Sequence, residues 1–171
     1  MKKVYTCFCT DIIHEGHRNL LRAAAELGEV TVGVLSDAEM VRYNRFPTKT
    51  LEERMEMIRV LPEVAEVVVQ EHIMYDEIID RLRPDYVVHG SNWAQGPESS
   101  IRKNVCVCLA RYGGQLIEPP YTENAEVRNI DWRMREQLAM PEARRGRLRR
   151  LLEIVPIVKP AKKERARRRK K

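Results

Sequence analysis

Short apolar runs alternate with amphipathic segments between residues 3 and 118, and this alternation predicts a parallel α/β fold. Five runs rich in β-branched and aromatic residues have the character of buried strands: Lys3–Cys9, Glu29–Ser36, Glu66–Gln70, Asp85–His89 and Gln115–Glu118. Consecutive strands joined by a helix form parallel units with a right-handed crossover. We therefore predict a Rossmann-like open sheet of about five parallel strands with flanking helices.

The segments between the strands carry helix signals. Thr50 stands three residues before Glu53, which predicts a capping box at the start of a helix over Leu51–Leu61. Apolar positions at helical spacing follow Asn19, and further helices are predicted over 37–41, 75–82 and 101–112. The polar stretch 41–50 contains a proline and is predicted to be a loop or a broken helix. Two closing helices are predicted over 130–140 and 141–152, as a C-terminal helical segment.

The charge of the chain is concentrated at its C-terminal end. The net charge is +6, yet residues 159–171 hold nine basic residues and one acid, and residues 1–141 are acidic on balance. We divide the chain into an α/β domain (1–137), a closing helix or linker (138–153) and a basic, disordered tail (154–171). A specific contact of the tail with nucleic acid or another anionic partner is the alternative, and the acidic body argues against nucleic acid.

The sequence predicts a cytoplasmic protein without a membrane span. No apolar run approaches the roughly 20 residues that a membrane helix needs, and Asp11, His14 and Glu15 interrupt any signal-peptide core. The cysteines form two Cys-x-Cys pairs, 7/9 and 106/108, within apolar segments. Reduced thiols are expected there. A four-cysteine zinc site is the alternative, with a spacing that zinc sites seldom use, and we predict no metal-ligand set.

Candidate chemistry is concentrated where the first strand meets the first helix. His14 and His17 lie three residues apart, so both rings would lie on one side of the first helical turn. The first backbone N–H groups of a helix have no internal partner, and the helix dipole is positive there, so this turn suits an anion. Gly16 would let a phosphate approach the backbone closely. The alternative is a pair of ordinary surface or capping histidines.

Together with Thr10 and Asp11, this turn resembles the His-x-Gly-His signature of the nucleotidyltransferase superfamily, in its cytidylyltransferase branch. Within that branch the chain is most similar to the cytidylyltransferase module associated with phosphoenolpyruvate mutase in phosphonate biosynthesis. The matching blocks are residues 14–17, Arg45-Phe46-Pro47 leading to Glu53-Arg54, residues 84–90 with Trp93, and Pro120-Tyr121-Thr122.

The resemblance implies an enzyme that transfers CMP from CTP to a small phosphonate or phosphate ester and releases pyrophosphate. It implies Mg²⁺ bound with CTP, a homodimer, and a phosphoenolpyruvate mutase as a partner. Two residue-level alternatives for Trp93 stay open, namely core packing and a wall of the nucleotide pocket.

The resemblance also assigns roles to individual residues. The catalytic residues are expected to be His14, His17 and Arg45. Nucleotide binding is expected from Cys9, Thr10, Gly16, Gly90, Asn92, Trp93, Tyr121 and Thr122. A clamp for substrate or phosphate is expected from Arg42, Lys49 and Arg54, because arginine can bind two phosphate oxygens at once.

The sequence departs from the family pattern at two loops. Ser91 and Asn92 replace two acids of a Gly-Asp-Asp-Trp run, and the hydroxyl-rich segment expected after Thr122 is replaced by 123–128, which contains Glu126. A carboxylate near a triphosphate is repelled by it. The altered segment therefore leaves open a catalytically weak nucleotide-binding or regulatory partner of a phosphonate-pathway enzyme. An adenylyltransferase is a further alternative, because the signature turn binds phosphates and not the base.

Overall fold

Five parallel strands form one open sheet, which confirms the predicted fold class. The computed structural model describes residues 1–43, 45, 47–95 and 98–123. Its strands are β1 (Lys3–Phe8), β2 (Glu29–Leu35), β3 (Glu66–Gln70), β4 (Tyr86–Val88) and β5 (Gln115–Ile117). They lie in the order β3-β2-β1-β4-β5, and every neighbouring pair is parallel. The first strand is therefore central.

Five helices connect the strands: α1 (Glu15–Ala25), α2 (Asp37–Arg42), α3 (Leu51–Arg59), α4 (Asp76–Leu82) and α5 (Ser99–Ala110). The predicted capping box of α3 is present, since Thr50 Oγ1 accepts from the Glu53 N–H (3.3 Å) and the Glu53 carboxylate accepts from the Thr50 N–H (2.8 Å). Helix α5 lies two residues earlier than predicted. Gly113, with φ of 83°, adopts the left-handed conformation that follows a helix end.

The core lies on both faces of the sheet because successive side chains of β1 point in opposite directions. Val4 and Phe8 pack on the face covered by α1 and α3, with Leu21 among their neighbours. Tyr5 packs on the face covered by α4 and α5, with Leu109. Helices on both faces cover a sheet that is buried at its centre, as an all-parallel sheet requires.

The strand order creates a crevice at the carboxyl ends of β1 and β4. From β1 the chain builds outward through β2 and β3 on one side, and through β4 and β5 on the other. Open α/β sheets bind ligands where the strand order reverses in this way. The two-histidine turn follows β1 and the Gly90 loop follows β4, so the topology brings the two predicted site segments together.

Several predictions concern parts of the chain outside the described residues. The closing helices at 130–152, the boundaries at 137 and 153, and the basic tail belong to this group, and they stay predictions. Among the described helices, none is long and apolar enough to cross a membrane.

Candidate active site

A cavity of about 670 Å³ opens at the carboxyl ends of β1 and β4. Both predicted site segments contribute to its wall. The predicted residues that line it are Cys9, Thr10, His14, Gly16, His17, Arg45, Gly90, Asn92, Trp93, Tyr121 and Thr122. The structure thus gathers residues from four separate blocks of sequence around one space.

His14 and His17 form the cap of α1. His14 is the N-cap residue, and its Nδ1 accepts from the backbone N–H of His17 at 3.4 Å. The Nδ1 of His17 accepts in turn from the backbone N–H of His14 at 3.4 Å. The rings are stacked, with centroids 3.8 Å apart. This is a capping box in which two imidazoles replace the usual hydroxyl and carboxylate.

The cap determines which ring nitrogen of each histidine carries the proton. A nitrogen that accepts from a backbone N–H cannot itself be protonated, so each neutral ring carries its hydrogen on Nε2. Both Nε2–H groups are then donors, and both rings line the cavity. The capping interpretation and the anion-binding interpretation of the motif are therefore compatible, because the same two histidines cap the helix and line the cavity.

Gly16 makes room for this arrangement. A Cβ on Gly16 would lie 2.9 Å from Cε1 and 3.0 Å from Nδ1 of His14, closer than packed carbon atoms approach. It would also lie 3.7 Å from Cβ of Thr122, whose Oγ1 accepts from Nδ2 of Asn19 at 3.1 Å. The Thr122 distance is an ordinary van der Waals contact, so it is the His14 ring that requires glycine at this position of α1.

Burial keeps His17 neutral. Its ring packs against Phe8, with centroids 4.6 Å apart, and against His14. Loss of water contact, with a further contribution from His14, lowers the pKa of His17 from 6.5 to about 3. Near neutral pH, His17 is therefore a neutral hydrogen-bond donor in the free protein.

The lowered pKa of His17 predicts acid sensitivity of the fold. Between pH 6.5 and about 3, the unfolded chain binds a proton at His17 that the folded chain does not bind. The free energy of unfolding should therefore fall as the pH falls through this window, by up to about 1.4 kcal/mol per pH unit from this group. We expect His17→Gln, which keeps a capping side chain, to reduce this slope in urea titrations at several pH values.

The matched control for that titration is His72→Gln. His72 is exposed and lies beside the carboxylates of Glu39 and Glu77, away from the cavity. Equal slopes for His17→Gln, His72→Gln and the wild-type protein would contradict the assignment of a strongly lowered pKa to His17.

Arg45 lines the cavity, and its guanidinium is paired with a carboxylate. Its Nη2 donates to Oε1 of Glu98 at 2.8 Å, and its Nη1 contacts the sulfur of Cys9. The guanidinium is half-buried, with 28% of the side chain exposed. Sequence reasoning missed Glu98, which lies 53 residues away in the chain and has no recognisable local pattern.

Asp11 and Thr10 shape the turn between β1 and α1. Oδ2 of Asp11 accepts from the backbone N–H (2.5 Å) and from Oγ1 (2.8 Å) of Thr48, so it joins the turn to the loop that carries Arg45. Oγ1 of Thr10 donates to the carbonyl of Ile12 (2.8 Å) and accepts from its N–H (3.1 Å). The second oxygen of Asp11, Oδ1, is buried and has no hydrogen-bond partner among the described residues.

The predicted phosphate clamp needs correction. Arg54 is fully buried, and its Nη2 donates to the Leu35 carbonyl (2.8 Å) and to Oδ1 of Asp37 (2.5 Å). Arg42 pairs with Glu39 at 3.4 Å, and Lys49 is exposed. Of the three, none lines the described cavity. For Arg54 the reason is that α3 turns its guanidinium onto the end of β2 instead of towards the crevice.

The opposite wall is built on Trp93. Its side chain is 1% exposed, and Nε1 donates to Oε1 of Glu118 at 2.7 Å. Arg102 binds the same carboxylate with two nitrogens, at 2.8 and 2.6 Å, and these hydrogen bonds lower the pKa of Glu118. Trp93 also stacks on His89, with centroids 3.6 Å apart and planes 10° apart. Trp93 is therefore both a core residue and a wall of the cavity.

His89 also lines the cavity, and sequence reasoning did not select it. Its position directly before Gly90, at the end of a buried strand, was the available signal. The loops after β4 and β5 meet beside it, since Ser91 Oγ accepts from the backbone N–H of Tyr121 at 3.2 Å. The segment 124–128, which departs from the family pattern, lies outside the described residues.

The four cysteines are free thiols. Cys7 and Cys9 belong to the β1 region, and Cys106 and Cys108 to α5. Burial raises the pKa of Cys7, so that thiol stays protonated. Within the described part of the chain, no group of three or more His, Cys, Asp or Glu side chains is arranged to hold a metal ion, so nothing there supports the zinc alternative.

Comparison with known proteins identifies relatives. A family model described as cytidylyltransferase-like matches residues 5–142. The ethanolamine-phosphate cytidylyltransferase of Arabidopsis thaliana is 32% identical over 139 residues, which are 77% of this chain and 32% of that protein. The bifunctional protein HldE of Streptomyces coelicolor is 31% identical over 120 residues, 67% of this chain and 24% of that protein. The chain thus spans about a third or less of the length of these relatives.

A solved structure supports the fold. The lipopolysaccharide core biosynthesis protein of Thermoplasma volcanium superposes with a TM-score of 0.60 and 19% sequence identity, covering 72% of this chain and 99% of that one. At this identity the similarity concerns the fold alone.

Proposed function

Because the chain belongs to the cytidylyltransferase-like family, we propose that it transfers CMP from CTP to a small phosphate ester and releases pyrophosphate. The observation that carries the proposal is the two-histidine cap, because His14, Gly16 and His17 at the N-terminus of α1 all line one cavity. Such an arrangement suits a phosphate chain, because donors and dipole are fixed before the ligand arrives.

The reaction needs positioning more than covalent chemistry. An oxygen of the acceptor phosphate forms a bond to the α-phosphorus of CTP, while the bond from that phosphorus to the bridging oxygen breaks and pyrophosphate leaves with the electron pair. His14 and His17 donate hydrogen bonds to phosphate oxygens as charge shifts towards the leaving group. Arg45 binds an anionic group of either substrate. In the free protein its guanidinium binds the carboxylate of Glu98 instead.

We propose that Mg²⁺ accompanies CTP, where it would neutralise phosphate charge. Asp11 and Glu98 line the cavity and carry the oxygen ligands that Mg²⁺ prefers, and Oδ1 of Asp11 has no hydrogen-bond partner within the described part of the chain. The homodimer and the mutase partner that the resemblance implies remain predictions.

Two kinds of observation point to the chemical class of the acceptor. The names of several relatives point to ethanolamine phosphate, whereas the resemblance within the sequence points to a phosphonate such as 2-hydroxyethylphosphonate. Both present a phosphorus-bound oxygen anion as the nucleophile, so the same site chemistry serves either. We place the phosphate ester first because several relatives are named for ethanolamine phosphate.

The test is pyrophosphate release with Mg²⁺, using CTP or ATP as donor and ethanolamine phosphate, glycerol 3-phosphate or 2-hydroxyethylphosphonate as acceptor. We expect turnover with CTP and at least one acceptor.

The Arg45→Gln variant should raise the KM of CTP or of the acceptor about tenfold or more, because it removes the cation that binds the anionic group. Arg42→Gln, from the same region but off the cavity, is the matched control and should leave KM unchanged. CTP binding in calorimetry without turnover by any pair would instead favour the nucleotide-binding partner, and turnover with ATP alone an adenylyltransferase.

A further inference from the structure

The three histidines that line the cavity are held in opposite tautomers. Nδ1 of His89 lies 2.8 Å from the carbonyl oxygen of Gly90. A carbonyl oxygen only accepts, so this Nδ1 carries the hydrogen. Burial lowers the pKa of His89, so the ring is neutral and its Nε2 holds a lone pair. His14 and His17, in contrast, carry their hydrogens on Nε2.

The orientation of the His89 ring is fixed by its neighbours. It lies flat on Trp93, and Trp93 is anchored through Nε1 to Glu118, which Arg102 holds with two hydrogen bonds. A flip of the imidazole would place a C–H group against the Gly90 carbonyl and lose that hydrogen bond. The series Arg102–Glu118–Trp93–His89 therefore fixes the ring of His89, a residue that lines the cavity, and with it the position of its Nε2 acceptor.

The charges around His89 favour a donor group as its partner. The carboxylates of Glu98 and Glu118 both act on the ring and favour positive charge there, while Arg45 acts in the opposite sense. A phosphate oxygen facing the Nε2 lone pair would be repelled. A ligand N–H would gain a hydrogen bond in a partly desolvated site, where such bonds discriminate strongly.

We propose that Nε2 of His89 accepts a hydrogen bond from an N–H group of a substrate, which makes His89 a specificity-determining residue. The inference rests on the proposed function for the identity of the substrates. Two substrates can supply the N–H: the exocyclic amino group of the nucleobase and the amino group of the acceptor. In either case the site selects an amino group over an oxo group or a methyl group.

The test compares two matched pairs of ligands. CTP against UTP exchanges the amino group of the base for an oxo group and adds a hydrogen at N3. Ethanolamine phosphate against propyl phosphate exchanges the amino group of the acceptor for a methyl group. His89→Phe keeps a flat ring on Trp93 but removes the lone pair. We expect it to shrink the kcat/KM preference in one of the two pairs by about 10- to 100-fold. His89→Gln, which supplies an acceptor oxygen, should restore part of it, and His72→Gln should change neither.

Binding measurements separate this inference from the proposed function. If the wild-type protein turns over no pair, the same two preferences can be measured by calorimetry, so failure of catalysis leaves the His89 test intact. Titration of wild-type protein with ¹⁵N-labelled histidine, using CMP or ethanolamine phosphate, needs no variant. We expect one of them to move the Nε2 signal of His89. Unchanged preferences in His89→Phe, or a His89 signal that neither ligand moves, would overturn the proposal.

Discussion

Replacing His14 by Asn should lower kcat/KM for CMP transfer by about 10²- to 10³-fold while leaving the fold intact. Asn is among the preferred N-cap residues, so its side-chain oxygen can take over the hydrogen bond that Nδ1 of His14 accepts from the His17 N–H. It has no group at the position of Nε2. The variant therefore removes the donor that faces the cavity and keeps the cap, and steady-state kinetics with CTP would show the loss in kcat.

Two further variants separate the two roles of His14. His14→Ala should lose activity to a similar extent and also about 0.5–2 kcal/mol of stability, because it removes the cap as well. Thr50→Ala removes the corresponding cap of α3, which does not line the cavity, so it should lose stability and retain activity. Full activity of a folded His14→Asn protein would refute the assigned role of His14.

The sheet was predictable because its signals are local. The run Glu66–Gln70 was placed correctly at both ends, since β-branched residues fill it and polar residues bound it. The ends of α5 were placed two residues late, because Glu98 at its N-cap makes no side-chain capping bond that a sequence pattern would reveal. The parallel pairing followed from the alternation of strands and helices, because a strand joined to the next by a helix pairs in parallel.

The site was predictable where its residues belong to one turn or follow the strands that end at the crevice, and the partners of its charged side chains were not. His14, Gly16 and His17 occupy one helical turn, so their spacing alone places them together. The partners of the arginines depend instead on tertiary contacts. Arg54 was assigned to a phosphate clamp from its charge and its block of sequence, yet Asp37, 17 residues away, binds its guanidinium inside the fold. Glu98 reaches Arg45 only because α5 begins at the edge of the cavity.

Gly16→Ala should lower kcat/KM by about 10²-fold or more, although alanine is the better helix former. Gly16 lies in the first turn of α1 with an ordinary helical backbone, and there an alanine favours the helix by up to about 1 kcal/mol. Its Cβ would displace the His14 ring, 2.9 Å away, from its stacking on His17. A displacement of about 1 Å is enough to cost about 100-fold when a group must face a reacting phosphate.

In the Gly16→Ala variant, activity should therefore fall while thermal stability stays nearly constant. The gain in helix propensity offsets the loss of the cap, so thermal unfolding should change little while turnover falls. Glu15→Ala raises helix propensity at the neighbouring exposed position without approaching His14, and it should keep its activity. If the His14 ring did not need the space above Gly16, the Gly16→Ala variant would instead be more stable than the wild-type protein and fully active. Measuring both quantities on the same preparations thus decides whether Gly16 is present to accommodate the imidazole of His14.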